Sequence, residues 1–341
     1  MSVFIIGFPG AVACRVAQLL DAQQTSKVAL LVAPKHQRQV KKFIKKTGVR
    51  VSVVEGTEQQ IDFGLSGDDY RTLAKEVTTL LYLKLPGPPG HPKAAKMHEV
   101  RTAVREIVEL GLVSDKLKNI LMLSHLDVAG NTHNGFVEQD LEQGQSFNDP
   151  AQADRLSGER VLRRFMNRLP ITVVRCGWVV GEGDELCPLG MLLLAAKDTS
   201  SLPVKNPMSQ LHIIDIETIA HAIAKLAFIT PRQEGETLHF LLKDVPHLST
   251  LMNRVHAAAE KLVPGDFDLV SGARRALRKD ELPTHRWSAR NFFKRQPYDA
   301  KILDTYTERF LLKHRIESPR FDKKIVKQVS QRAVEKIAGF K

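Results

Sequence analysis

Three small residues near the start of the chain, Gly7, Gly10 and Ala13, are spaced G-x-x-G-x-x-A within IIGFPGAVACRV. Such a turn needs one residue tolerant of positive φ, a second without a side chain so that backbone can approach a pyrophosphate, and a third small enough for helix to pack on strand. The helix that follows then offers free N–H groups and a positive dipole end to phosphates. The spacing alone is a weak signal. Its place after the apolar run VFII, inside a βαβ unit of about 30 residues, makes it a mark of a dinucleotide-binding fold, with a plain glycine turn as the bland alternative. The next apolar run, KVALLVAP, carries no Asp or Glu at its end to hold a ribose 2′-hydroxyl. Lys35, His36 and Arg38 follow instead and favour the 2′-phosphorylated cofactor, NADP, over NAD. Two other readings stay open: a solvated basic helix face, continued by Lys41, Lys42, Lys45 and Lys46, and a chain that holds no cofactor.

The elements that must position these residues are legible as periods. Short apolar runs (VFII, VALLVA, VRVSVVE, TTLLYL, NILMLS, ITVVRC) alternate with helical stretches at 11–22, 37–46, 68–75 and 92–110. That alternation predicts an α/β fold, a doubly wound parallel sheet covered on both faces. A smaller C-terminal part, interleaved with it, follows from about residue 181. It offers a strand HIIDI, a helix over 217–228, a strand LHFLL, a helix over 248–262, a basic linker, and helices over 300–312 and 322–337. The division is therefore 1–180 and 181–341. The stretches 84–92 and 130–150 are the expected rims of a cleft, because functional loops collect at the carboxyl ends of parallel strands.

Composition bounds the class. The 341 residues, 43% hydrophobic and 26% charged, suffice for one large domain or two modest ones. Cys14, Cys176 and Cys187 form no C-x-x-C pair and have no histidine at metal spacing, so no metal site is expected and a reducing cytoplasm fits. No run approaches the roughly 18 apolar residues of a membrane span, and no signal peptide is expected. The net charge of +12, from 50 basic against 38 acidic residues, invites an anionic partner. It gathers at 35–50, 274–295 and 323–341.

With these pieces in order, the chain resembles the extended branch of the short-chain dehydrogenase/reductases, particularly its thioester-reductase and fatty acyl-CoA reductase-like members. The resemblance runs from Val3 to about Leu262. It is carried by the turn at Gly7 together with IDFGLSGDDYRTLAKEV, LSHLDVAG, VEQDLEQGQSFNDP, LPITVVRCGWVVGEG and HIIDIETIAHAIAKLA. It implies a Rossmann-type fold and a hydride-transfer site. In that site a Tyr is the acid, a Lys lowers its pKa and holds the ribose, a Ser or Thr polarises the carbonyl, and an Asn supports a proton relay.

Each of those positions is filled differently here. The Tyr and Lys positions match Ala151 and Arg155, the Ser/Thr position matches His125, and the Asn position matches Val100. Ala151 has no proton to give, and Arg155 keeps a cation but presents it as a fixed fork. On the cofactor side Ala33 stands where the resemblance implies an Arg, and Thr57 where it implies an adenine-binding Asp. Lys84 and Leu85 replace two small residues, so Lys84 either binds a phosphate or fills the cleft. His125 with Asp127 and Arg155 reads as a substitute acid/base group, although β-strand geometry is expected to end before Asp127.

The leading expectation is a dinucleotide-holding protein with an altered active site, acting as sensor, scaffold or partner subunit. The alternative is an NADP-dependent oxidoreductase on an acyl-thioester or carbonyl substrate. An interaction protein with a plugged cleft is the third. The basic stretch 272–299 mixes basic and aromatic residues as a nucleic-acid surface would, and equally suits an anionic or coenzyme A-type ligand or a solvated linker; it carries no recognised nucleic-acid motif. Ile325, Val326, Val329, Ala333, Val334 and Ile337 form an apolar helical stripe, expected to dock on its own domain rather than on a membrane.

Overall fold

The computed structural model describes residues 2–24, 26–85, 99–132, 135–147, 150–180, 193–194, 210–263, 268–279 and 301–338. Its centre is a seven-stranded parallel sheet. The first half of the chain lays down β1 (Ser2–Ile6), α1 (Ala11–Ala22), β2 (Lys27–Val32), α2 (Gln37–Thr47), β3 (Ser52–Glu55), α3 (Gly67–Glu76) and β4 (Thr79–Tyr82). Then come α4 (Glu99–Leu112), β5 (Asn119–His125), β6 (Gly135–Phe136), α5 (Pro150–Arg163) and β7 (Ile171–Cys176). After β8 (Trp178–Val180) and β9 (Ile213–Asp215), α6 (Ile216–Leu226) leads into β10 (Glu236–Phe240). The chain continues through α7 (Leu248–Glu260), α8 (Leu269–Lys279), β11 (Lys301–Ile302), α9 (Thr305–Lys313) and α10 (Lys323–Ala338).

The strand order is β10-β7-β5-β4-β1-β2-β3. The chain builds outward from β1 in one direction and then, from β4, in the other, so the topological switch lies between β1 and β4. Ligands of open α/β sheets bind in that crevice. Strands β4, β5 and β7 are buried along their whole length, as a sheet covered on both faces requires. Alternate residues supply two cores: Val3, Ile5, Leu81, Leu121 and Val174 face one way with α1, α6 and α7, while Phe4, Ile6, Leu80, Ile120 and Val173 face the other with α4.

The C-terminal part is stitched into this sheet. β10 pairs with β7, and α6 is tied to α1 by a two-pronged ion pair from Arg15 to Glu217, with Nε–Oε1 at 2.8 Å and Nη2–Oε2 at 2.7 Å. Lys301 and Ile302 pair with Gly135 and Phe136. The buried Glu138 carboxylate then accepts from the Thr307 N–H at 2.7 Å and its hydroxyl at 2.9 Å.

Two local expectations change. The helix expected over 300–312 begins only at Thr305, because residues 301–302 are drawn into a strand. The basic linker contains α8, capped by the Asp268 carboxylate accepting from the Ser271 N–H at 2.9 Å; residues 280–300 of it lie outside the described residues. The apolar stripe of α10 is buried against its own domain, and Ser330 donates to the Val255 carbonyl of α7 at 3.1 Å.

Candidate functional site

The glycine turn sits at the switch point. Gly7 has φ +143, and a Cβ there would lie 2.9 Å from the Leu83 carbonyl carbon at the end of β4. Only glycine lets the ends of β1 and β4 close up in this way. The Gly10 N–H donates to the Gly7 carbonyl at 2.8 Å, and Gly10 caps α1. Ala13 is fully buried against the sheet. The first turn of α1 carries no acidic residue, so the dipole end at the crevice is not offset by a carboxylate.

Around the turn, Ala33 ends β2 and leads into a short helical turn holding Lys35 and His36, with Arg38 in the first turn of α2. Lys35 and Arg38 are exposed and have no ion-pair partner among the described residues. Lys84 is differently placed. Its Nζ lies 2.6 Å from Glu58 and 3.6 Å from Glu99, bridging the loop after β3 to the start of α4. Burial works against both charges, yet the pairing wins: it holds the Glu58 carboxyl below its ordinary value and the Lys84 ammonium above its own. Leu85 is partly buried against the core, and most of the 84–92 rim lies outside the described residues.

At the other end of the crevice, β5 stops at His125 and the chain turns tightly through 126–129. The strand ends before Asp127 as expected, but the turn folds the carboxylate back onto both neighbours. Arg155 of α5 grips Asp127 with two prongs, Nε–Oδ1 at 2.9 Å and Nη2 on Oδ2, while the backbone N–H of Asp127 donates to His125 Nδ1 at 3.1 Å. All three residues are buried. Burial alone would raise the Asp127 carboxyl; the Arg155 guanidinium, aided by His125, overrides it and holds the group well below the usual carboxylate range.

His125 Nδ1 lies 3.1 Å from both the Asp127 backbone nitrogen and Asp127 Oδ1, which fixes the ring from that side. Its Nε2 is buried without a hydrogen-bond partner among the described residues, and the ring meets Trp178 edge-on at 4.8 Å. A buried polar atom of this kind is costly to leave unpaired.

Ala151 stands one turn before Arg155, partly buried in the first turn of α5. Val100 belongs to helix packing: its N–H donates to Asp154 at 2.9 Å, and a Cβ on Gly158 would lie 2.6 Å from its Cγ1. No described tyrosine fills the acid role. The Tyr82 phenol is buried and pushed well above its ordinary value, Tyr70 is pushed to about 12 by burial, and Tyr306 donates to Glu236. Cys176 lies beside His125 in the sheet, but burial raises its thiol to about 12, away from nucleophilic chemistry.

A second buried ionic cluster lies one helical turn further along α5. Arg175 of β7 bonds Glu159 at 2.7 Å, the Asp140 carbonyl at 2.8 Å and His239 Nε2 at 3.0 Å, and stacks over the Phe136 ring at 5.0 Å. Ser124 also donates to Glu159. His239 Nδ1 donates to the Leu303 carbonyl at 2.7 Å, and burial and the Arg175 charge hold its ring neutral. Sequence reasoning missed this cluster, although an arginine inside the apolar run ITVVRC was its visible signal.

No protein-family model and no curated protein matches the sequence. The fold does match solved structures. The terminal reductase domain of the myxalamid PKS-NRPS pathway superposes with a TM-score of 0.75 at 16% identity, over 98% of this chain and 90% of that one. A reductase domain of a nonribosomal peptide synthetase from Mycobacterium tuberculosis gives 0.71 at 17% identity, over 99% and 92%. UDP-glucuronic acid 4-epimerase from Bacillus cereus, solved with NAD, gives 0.65 at 13% identity over the whole of both chains. The architecture is thus the Rossmann-like α/β fold of these reductase domains, in agreement with the resemblance carried by the sequence.

Proposed function

We propose that this chain binds a dinucleotide, NADP in preference to NAD, in the crevice between β1 and β4, and that it serves as a sensor, scaffold or partner subunit rather than as a Tyr/Lys-type reductase. The observation that carries this reading is a contrast within one crevice. The close approach at Gly7 and the cap at Gly10 are intact, while the acid position holds Ala151 and the cation position, Arg155, is spent on Asp127. Lys35 and Arg38, exposed beyond the end of β2 and without an ion-pair partner among the described residues, support the 2′-phosphorylated form. Because Lys84 is committed to Glu58 and Glu99, it is assigned here to closing the edge of the crevice rather than to a phosphate.

Fluorescence titration with NADPH and NADH tests the reading. NADPH binds more tightly, and Lys35→Ala with Arg38→Ala brings the two affinities together; absence of binding by either nucleotide at millimolar concentration overturns it. No described helix is long and apolar enough to cross a membrane.

One observation favours a second reading, an NADP-dependent oxidoreductase on an acyl-thioester or carbonyl substrate. The His125 Nε2, without a partner among the described residues, stands where the resemblance implies the hydroxyl that polarises a carbonyl. NADPH oxidation by the purified protein that disappears in His125→Leu, with cofactor binding retained, would establish this reading over the first.

A further inference from the structure

From Ala22 to Val54 the sequence carries eight cations and no carboxylate. Five of them, Arg38, Lys41, Lys42, Lys45 and Lys46, fall on α2 at spacings of three and four, which places them along one side of the helix. All five are exposed, and none has an ion-pair partner among the described residues. The opposite side is spent on the core: Val40 is buried, Phe43 packs against Phe8 at 5.9 Å, and Ile44 meets the same cluster.

Unpartnered exposed cations occur elsewhere among the described residues, as at Lys116, Lys118, Lys323 and Lys327; what sets α2 apart is their density on one helix face. Arg15, Arg50, Arg71, Arg160, Arg232 and Lys243 all face carboxylates. On α2 like charges face each other instead, at Arg38–Lys42, Lys41–Lys45 and Lys42–Lys46, an arrangement that weakens a helix. The acidic groups nearest to it are engaged elsewhere: Glu55 accepts from the neutral Gln37, and Asp21 pairs with Arg50.

We infer that the outer face of α2 is a docking surface for the phosphate backbone of duplex nucleic acid, bound without regard to sequence. A row of lysines on a rigid helix suits phosphates, which they contact as point charges. From Arg38 to Lys46 the row rises about 12 Å, and one strand of a duplex advances roughly 3.4 Å per phosphate, so several phosphates face it. No aromatic side chain lies on the outer face for base stacking, and no apolar one for insertion into a lipid surface. The inference shares Arg38 with the proposed dinucleotide site, but its test rests on lysines outside that site, so the two readings can fail separately.

Fluorescence anisotropy with a labelled 20-base-pair DNA duplex of arbitrary sequence tests it. With all five cations engaged, log K falls with log salt at a slope of about −4.5, or about 500-fold between 50 and 200 mM salt. Lys42→Gln with Lys46→Gln reduces the slope to about −2.7. The same variant keeps NADPH binding as it was, and its thermal midpoint does not drop, because Gln is a good helix former and two repulsions are gone. Lys41→Gln with Lys45→Gln is a second variant with the same expectation, should the first not fold. No duplex binding at 50 mM salt, or affinity and slope unchanged in a folded variant, overturns the inference. So does wild-type protein that prefers vesicles of equal phosphatidylcholine and phosphatidylserine to the duplex and loses them in the variant.

Discussion

Arg155 and Glu159 lie one turn apart on α5, and each anchors a buried ionic cluster, yet the two clusters are built to different ends. Around Glu159, every side-chain nitrogen and oxygen of Arg175, Glu159 and His239 has a partner, and Phe136 covers the guanidinium. Around Arg155, the Asp127 carboxylate is saturated but His125 keeps one buried ring nitrogen without a partner among the described residues. A network that closes on itself holds structure together; one that leaves a single polar atom over, at the carboxyl end of a sheet, has capacity for a ligand. On the proposed reading, the site is therefore one whose charges are paired in a different way rather than simply an eroded one.

Substitutions should separate the two clusters. The largest effect is expected from Arg175→Leu, which leaves the buried Glu159 without its cation and should cost about 3–5 kcal/mol in urea unfolding. Asp127→Asn should cost about 2–3 kcal/mol at neutral pH, because the Arg155 guanidinium loses its counter-charge while a hydrogen-bond acceptor remains. Its sign with pH follows from the depressed folded value. The stability that Asp127 contributes is complete above the unfolded value of about 3.9 and is lost as pH falls through the folded one. Unfolding at pH 7 and pH 3 should show the gap between wild type and Asp127→Asn narrowing in acid. The smallest effect is expected from His125→Leu, about 1–2 kcal/mol, since it removes an unsatisfied ring nitrogen but leaves the buried Asp127 N–H without its acceptor. A loss as large as that of Arg175→Leu would place His125 among the structural groups and end the distinction.

Much of this was legible in the sequence, and the reasons for the rest are physical. The sheet, its two covered faces and the turn at Gly7 follow from apolar period and glycine spacing, which are local properties. The ends of α9 and the existence of α8 were misjudged because two-residue strands such as β6 and β11 have no period to read, and because the charge of GARRALRK hid its helical tendency. The replacements at Ala151, Arg155, His125 and Val100 could be placed by resemblance, but not their partners. Asp127 reaches both His125 and Arg155 only because residues 126–129 turn back, and Lys84 meets Glu58 and Glu99 only because the chain after β3, the chain after β4 and the start of α4 converge beyond the carboxyl ends of the strands. Pairings of that kind depend on the fold as a whole, so a linear reading names the residues without their neighbours.

The bond between Glu138 and Thr307 spans 169 positions of the chain. Glu138 is buried in the stretch expected to rim the crevice, so its carboxylate stays without its two donors until the segment bearing Thr307 has docked. Contacts so distant in sequence form late, because a long loop must close before they are rewarded. During synthesis, then, the central sheet is able to assemble while this rim still waits for the last hundred or so residues. On the proposed reading, the crevice is finished late in folding, which ties binding to the docking of the segment that carries Thr307.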